Sequence, residues 1–420
     1  MLTARGLALC IGAVVAWGLG RLLGVDELYV VGAACVALVL LAVLATRLSS
    51  TRIAVRRTAG ALRARQGEEM PIEVQLRNDG HLPASLLLVE DRTPTGIAIS
   101  GDQAAHGARF VVRGLRARQI ATLRWSAVGR RRGRYRVGPL RIRLRDPFGL
   151  AERSRRYRGT DDLVVYPQIE ALDSSAGRGI RQGAETSALR RAFHRGDEFY
   201  TMRTYVVGDD LRHVHWPSTA HRGILMVRQH ELPWNAHAVV HLDTRAGVHR
   251  GSGSTGSFER AVSATASVLL HLRDHDYDLR LHITTGDAAQ AAPVMAVDDA
   301  LVRLAEVTPA TGRSSPADII GTLERAGNGL LVTVLRPPPA ADALGDHPEL
   351  HALLRAGRSY RARVALVIAH HDDERCAQLA HMLQMAGWHA AAVAHGEPLG
   401  DAWQRAMVGV AADEVTAGAP

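Results

Sequence analysis

The chain has 420 residues, long enough for two or three domains that each bury a core, and its formal charge of +9 rests on basic side chains that are all arginine. That charge suits nucleic acid, anionic lipid or an acidic protein partner. The three cysteines, Cys10, Cys35 and Cys376, form no CxxC pair, which excludes a zinc finger of ordinary spacing and a disulfide framework, so the bulk of the chain fits a reducing compartment.

Two apolar runs come first. Residues 6–23 are apolar except for Arg21, and residues 28–46 carry no charge. At 1.5 Å per residue, about 20 apolar residues span a hydrocarbon core of roughly 30 Å, so two runs separated by GVDE predict a transmembrane helical hairpin over 1–50. A signal peptide is the competing reading, because Arg5 precedes the first run. The second run and the lack of a convincing small-residue cleavage site argue against cleavage. Arg47, Arg52, Arg56, Arg57, Arg63 and Arg65 follow the second run, whereas the loop between the runs holds Asp26 and Glu27. Positive-inside bias therefore predicts a cell-membrane protein with two spans and with both termini in the cytoplasm.

Over 51–168 the pattern has period two. IEVQLRN (72–78), SLLLVED (85–91), RFVVRGL (109–115), ATLRWSAV (121–128) and PLRIRLRD (139–146) alternate apolar with polar residues between turn-forming clusters, which predicts an antiparallel β-sandwich. Between Arg109 and Arg158 stand 17 arginines against two acids, Asp146 and Glu152. Nucleic acid is one reading of that density, but Trp125, Tyr135, Phe148 and Tyr157 are too scattered for a stacking platform. Solvated arginine on outward strand positions, facing anionic headgroups, is the reading we adopt.

Residues 169–236 read as a connector, with 173–195 rich in Gly, Ser, Ala and Arg and without sustained period. From 237 to 420, short apolar runs (238–243, 279–284, 330–335, 363–369, 389–394) alternate with amphipathic stretches (258–275, 317–327, 374–387). That order predicts an open, mostly parallel α/β sheet.

Several local motifs have plainer explanations. GSGSTGS (251–257) lacks the Lys-Ser/Thr ending of a phosphate loop and does not directly follow a strand, so it reads as a flexible loop before a helix. His271 and His275 share a helix face as zinc ligands can, but no third ligand stands at a meaningful spacing. HHDDE (370–374) caps a helix and also occupies the carboxyl end of a parallel strand, where ligands bind.

The segment 195–231, RGDEFYTMRTYVVGDDLRHVHWPSTAHRGILMVRQHE, is of another kind. Its order resembles the hallmark segment of the bacterial family of domain of unknown function 58. Glu198, Phe199, Arg203, Tyr205, Gly208, Asp209, Asp210, Arg212, Trp216, Arg228 and Glu231 carry the match. RRGRYRVGPL (131–140), DPFGL (146–150) and VVYP (164–167) extend it into the sandwich. The chain departs from the family in two places. His215 stands where the family usually has aspartate, and Thr219-Ala220-His221 replaces Ser-Ala-Arg, as if a paired acid and base had both become histidine. The segment reads as a structural or docking motif. Its arginines fork onto Asp197, Glu198, Asp209, Asp210 or Glu231, and Phe199, Tyr205 and Trp216 anchor it to a core.

The resemblance implies that the last domain is similar to a von Willebrand factor A domain. It also implies partnership with a MoxR-type AAA+ ATPase and with other membrane proteins of the same system, in a non-enzymatic adaptor or assembly role. We expect no cofactor and no metal. The run Asp243-Thr244-Arg245-Ala246-Gly247 keeps the aspartate of an Asp-x-Ser-x-Ser metal site but loses both serines, and Asp243 then pairs with Arg245 or Arg336. Two alternatives stay open at this level. One is a hydrolase using His213, His215 and the nearby acids; the other is a membrane-tethered nucleic-acid binder using the arginine-rich sandwich.

Overall fold

The computed structural model describes residues 2–49, 53–59, 63–81, 83–101, 107–172, 200–205, 214–230, 237–284, 294–310, 323–324, 329–338, 344–371 and 373–416. They fall into two compact units, Met1–Tyr166 and Pro167–Pro420.

In the first unit, α1 (Ala4–Leu23) and α2 (Asp26–Ser49) form the hairpin read from the sequence. Thr3 caps α1 by accepting the Gly6 N–H at 3.2 Å, and Gly24, left-handed at φ 72°, ends it and frees the chain to turn back. Both helices are long and apolar enough to cross a membrane, and large apolar side chains such as Val14, Leu22, Val30 and Leu40 lie exposed on them.

The rest of this unit is β-structure. β1 (Ile53–Ala59), β3 (Glu69–Asn78), β7 (Ile120–Gly129) and β5 (Ile97–Ile99) make one antiparallel sheet in the order β1-β3-β7-β5. β10 (Glu152–Tyr157), β9 (Leu140–Arg145), β4 (Ala84–Arg92) and β6 (Gly107–Leu115) make a second, in the order β10-β9-β4-β6. A smaller mixed sheet joins β2 (Arg63–Arg65), β11 (Asp161–Tyr166) and β8 (Gly133–Val137). Alternation decides which side chains go inward. Met70, Ile72, Val74 and Leu76 of β3 are buried in one core with Leu87, Val89, Ile142 and Leu144 of the second sheet. Arginines of the 109–158 run stay at least partly exposed even where they pair with acids. Arg124 pairs with Glu73 at 3.0 Å and Arg145 with Glu152 at 2.9 Å. Arg57 is buried against Asp91 at 2.5 Å.

In the second unit, β12 (Tyr200–Thr204) and β13 (Met226–His230) form an antiparallel ribbon, with α3 (Trp216–Arg222) lying between them in sequence. A five-stranded parallel sheet follows, with β14 (His237–Leu242), β15 (Asp278–Ile283), β16 (Leu330–Leu335), β17 (Ala362–Ile368) and β18 (His389–Val393) in the order β15-β14-β16-β17-β18. The strands are nearly continuous apolar runs because helices cover both faces. These helices are α4 (Ser257–Asp274), α5 (Val297–Glu306), α6 (Pro348–Gly357), α7 (Glu374–Met385) and α8 (Leu399–Thr416). Leu350 and Leu353 of α6 and Leu379 and Leu383 of α7 share a core with Leu331 and Val367. The expected connector 173–195 and most of the amphipathic stretch 317–327 lie outside the described residues.

Candidate functional site

Strand order locates the site before any side chain does. β15 lies on one side of β14 and β16 on the other, so the chain reverses its direction of travel across the sheet between β14 and β16. In open parallel sheets such a reversal opens a crevice at the carboxyl ends of the strands, where ligands bind. The residues that follow these two strands are Asp243 and Arg336. The Asp243 amide donates to the Val334 carbonyl at 3.0 Å, which holds the two strand ends together.

Asp243 is 2% exposed. Its Oδ1 accepts from Arg245 Nε at 2.8 Å and from the Arg245 amide at 3.1 Å, and its Oδ2 accepts from Arg245 Nη2 at 2.6 Å. Burial alone would raise its pKa, but the hydrogen bonds and charge of Arg245 more than offset this and hold the carboxyl below its ordinary value. Arg245 Nη1 reaches Glu349, at the start of α6. Arg336, also 2% exposed, donates from Nη2 to Asp373 at 2.6 Å, while Nε and Nη1 meet no partner among the described residues. A cavity of about 40 Å³, enough for a water or two, is lined by Asp243, Arg245, Arg336 and Glu349 and also reached by His241 and Thr284.

Behind this layer lies a buried polar one. His241 bridges Thr333 Oγ1 at 2.9 Å and Thr284 Oγ1 at 2.8 Å, and its ring lies 5.1 Å from that of His282. Burial, with His282 adding to it, lowers the His241 pKa to about 3, and burial lowers that of His282 to about 4. Both are therefore neutral at ordinary pH and are weak bases. Cys376, fully buried at the start of α7, has its thiol pushed up to about 12, chiefly by burial, which leaves it no thiolate for nucleophilic chemistry. On the exposed rim, the rings of His370, His371 and His395 cluster, with centroids 4.5 to 5.7 Å apart. Arg250 is exposed on the loop that follows β14. Among the described residues no group of His, Cys, Asp or Glu side chains could hold a metal ion.

The hallmark segment is described only in part. Glu198, Phe199, Gly208, Asp209, Asp210, Arg212, His213 and Glu231 lie outside the described residues, as do the side chains of Arg203 and Arg228. The backbone register sets Arg203 opposite Val227 and Arg228 opposite Met202. Tyr205 is half-buried and donates its amide to the Leu225 carbonyl at 2.8 Å. Trp216 does not serve as the expected core anchor. It is 68% exposed at the first position of α3, a two-turn helix that buries none of its residues. His215 is the N-cap of α3, with Nδ1 2.8 Å from Ser218 Oγ, and His221 lies in the last turn. Thr219 Oγ1 accepts the Met226 amide at 3.0 Å and ties the helix to β13.

Sequence reasoning singled out Asp243, Arg245, Arg336 and the HHDDE run that contains Asp373. It missed Glu349 and the His241–Thr284–Thr333 group. Their signal is spatial, since His241 and Thr333 stand 92 residues apart in the chain.

Comparison with known proteins supports the resemblance. Residues 201–382 match the family model described as "Protein of unknown function DUF58", a span that runs from β12 across β14 to β17 and into α7, short of β18. "Uncharacterized protein YeaD" of Bacillus subtilis (strain 168) is 24% identical over 203 residues, which is 48% of this chain and 48% of that relative. The match thus spans about half the length of the curated relative. Solved structures align over 27% of the chain. They include the CARDB domain of a Pyrococcus furiosus protein in complex with di-metal ions (15% identity, 91% of that chain, TM-score 0.19) and the complex of zinc 2-glycoprotein with prolactin inducible protein from human seminal plasma (13%, 97%, TM-score 0.20). Scores this low establish no shared fold.

Proposed function

We propose, from the premise that residues 201–382 are a region of the DUF58 family, that this chain is a membrane-anchored, non-enzymatic adaptor or assembly protein working with a MoxR-type AAA+ ATPase. In this reading the hairpin spans the cell membrane twice, with both termini in the cytoplasm. The parallel sheet is a von Willebrand factor A-like domain whose carboxyl edge receives the partner.

The observation that carries the adaptor role is the state of that edge. Its buried charges are engaged with one another, Asp243 with Arg245 and Arg336 with Asp373, and Arg245 also reaches Glu349. Its buried histidines are held neutral and its thiol is protonated. Covalent catalysis requires a nucleophile and a base poised to exchange a proton, whereas docking requires a preorganised surface, and mutual pairing supplies that. His215, the centre of the hydrolase alternative, is hydrogen-bonded to Ser218 as a helix cap.

The test is purification of the full chain from intact membranes, with its companions identified by mass spectrometry. The reading predicts an AAA+ ATPase enriched with the chain. Recovery of the chain without one contradicts it.

A further inference from the structure

The loop between β9 and β10, Asp146–Ala151, is tied to the hairpin more closely than a connection between strands requires. Thr3 donates its amide to the Leu150 carbonyl at 2.9 Å and its hydroxyl to the Gly149 carbonyl at 2.5 Å. Leu2 forms a β-bridge with Ala151. Leu150 and Ala151 are buried with Val39 and Ala42 of α2, and Leu9, Cys10, Leu38 and Val43 pack against that cluster. Gly6 makes the fit possible, because a Cβ there would collide with the Leu150 carbonyl. The turn is built in advance: buried Asp146 accepts the Phe148 amide at 2.9 Å on Oδ2 and the Ala151 amide at 2.6 Å on Oδ1.

The depth of this seat gives it meaning. Val39 and Ala42 precede Arg47 by eight and five residues, so they lie about 7 to 12 Å along the helix from it. Leu9 and Cys10 lie about 6 to 8 Å beyond Arg5 on the same scale. The polar layer of a bilayer is roughly 5 to 8 Å thick on each side. If the exposed Arg5 and Arg47 stand among the headgroups, the loop reaches the edge of the hydrocarbon. Its Phe148 is 60% exposed there. Exposed Arg153, whose Nη1 lies 3.5 Å from the Arg47 carbonyl, begins the arginine run Arg153, Arg155 and Arg156 on edge strand β10.

We infer that the Asp146–Ala151 loop is a bilayer-inserting element, with the Phe148 ring among the acyl chains and Arg5, Arg47 and Arg153 at the level of the lipid phosphates. The inference rests on the reading of α1 and α2 as membrane spans. An aromatic ring flanked by arginine matches the chemistry of the interface, apolar below and anionic above. The loop thereby fixes the sandwich against the membrane as a third point of contact beside the two helices.

The experiment uses the full chain with Cys10 and Cys35 replaced by alanine, reconstituted in vesicles of mixed zwitterionic and anionic lipid. A single cysteine introduced as Phe148→Cys, Leu40→Cys or Asp274→Cys carries an environment-sensitive fluorophore. All three positions are exposed, so the label displaces no core. Lipids bearing a nitroxide on the acyl chain should quench positions 148 and 40 and leave 274 bright. If 40 is quenched while 148 behaves like 274, the inference is overturned and the membrane anchor stands. If neither 40 nor 148 is quenched, the anchor reading falls and takes the inference with it.

Discussion

Asp91 shows what a buried charge does at the scale of one residue. Burial raises its pKa to about 6 from 3.8, although Arg57 at 2.5 Å works against the rise. A carboxyl whose folded pKa lies above its unfolded one binds more protons folded than unfolded between those two values. Stability from this group therefore falls as pH rises from about 4 to about 6, by about 3 kcal/mol at most. Asp91→Asn, which keeps the side chain neutral at every pH, should remove that slope. Thermal melts of both proteins from pH 4 to 7 give the measurement. Parallel curves would show that Asp91 does not titrate in this range.

Asp243 gives the second residue-scale test. Hard cations need free oxygen ligands, but both carboxylate oxygens of Asp243 are already held by Arg245. Calorimetry of the full chain with Mg²⁺ or Mn²⁺ at millimolar concentration should show no binding heat. Saturable heat that disappears in Asp243→Ala would contradict the pairing. The sequence displayed the aspartate and the arginine two positions on, because neighbours in the chain are visible in it. It did not display Glu349 or Asp373 as partners, because folding brings them in from more than 30 residues away.

At the scale of elements, periodicity served where burial was one-sided or complete. β3 alternates without a break, and β16 and β17 are apolar but for Thr333 and Arg363, so both kinds could be read. β10 could not, since ERSRRY buries no residue and forms a strand only because β9 offers it an edge. Trp216 failed for the opposite reason. Aromatic residues usually anchor a core, but α3 is a short surface helix fixed by His215, Thr219 and Gly223 rather than by packing. The seat of the loop on the hairpin leads to a prediction at this scale. Gly6→Val forces the Leu150 carbonyl away, and overpacking of this kind costs about 1 to 3 kcal/mol. The melting temperature of the purified chain should fall while its membrane retention stays unchanged. A melt like that of the wild type would show that the loop does not need its seat on α1.

For the whole molecule, the order of hairpin, antiparallel sheets and parallel sheet was legible because each leaves its own period in the sequence. The site was less so. The switch point between β14 and β16 is a property of strand order, and strand order is decided by long-range packing that no local pattern records. If the hairpin is the anchor, the chain stays in the membrane through high-salt and carbonate washes, and protease reaches residues beyond 47 only from the cytoplasmic face. Release by carbonate, or cleavage from the opposite face alone, would contradict that arrangement.

The central claim is that the carboxyl edge of the parallel sheet receives a cytoplasmic ATPase. Arg250 and His395 are exposed on that edge and belong to none of its buried pairs. Acidic side chains placed on the edge by Arg250→Glu together with His395→Glu should leave folding intact, and a loss of about 1.4 kcal/mol in binding is a tenfold loss of affinity. The most direct measurement is the amount of AAA+ ATPase recovered with the chain from membranes containing equal amounts of wild type and of this double variant. The account predicts recovery with the wild type and at least about a tenfold drop with the variant. Equal recovery from both, or no ATPase with either, would contradict it.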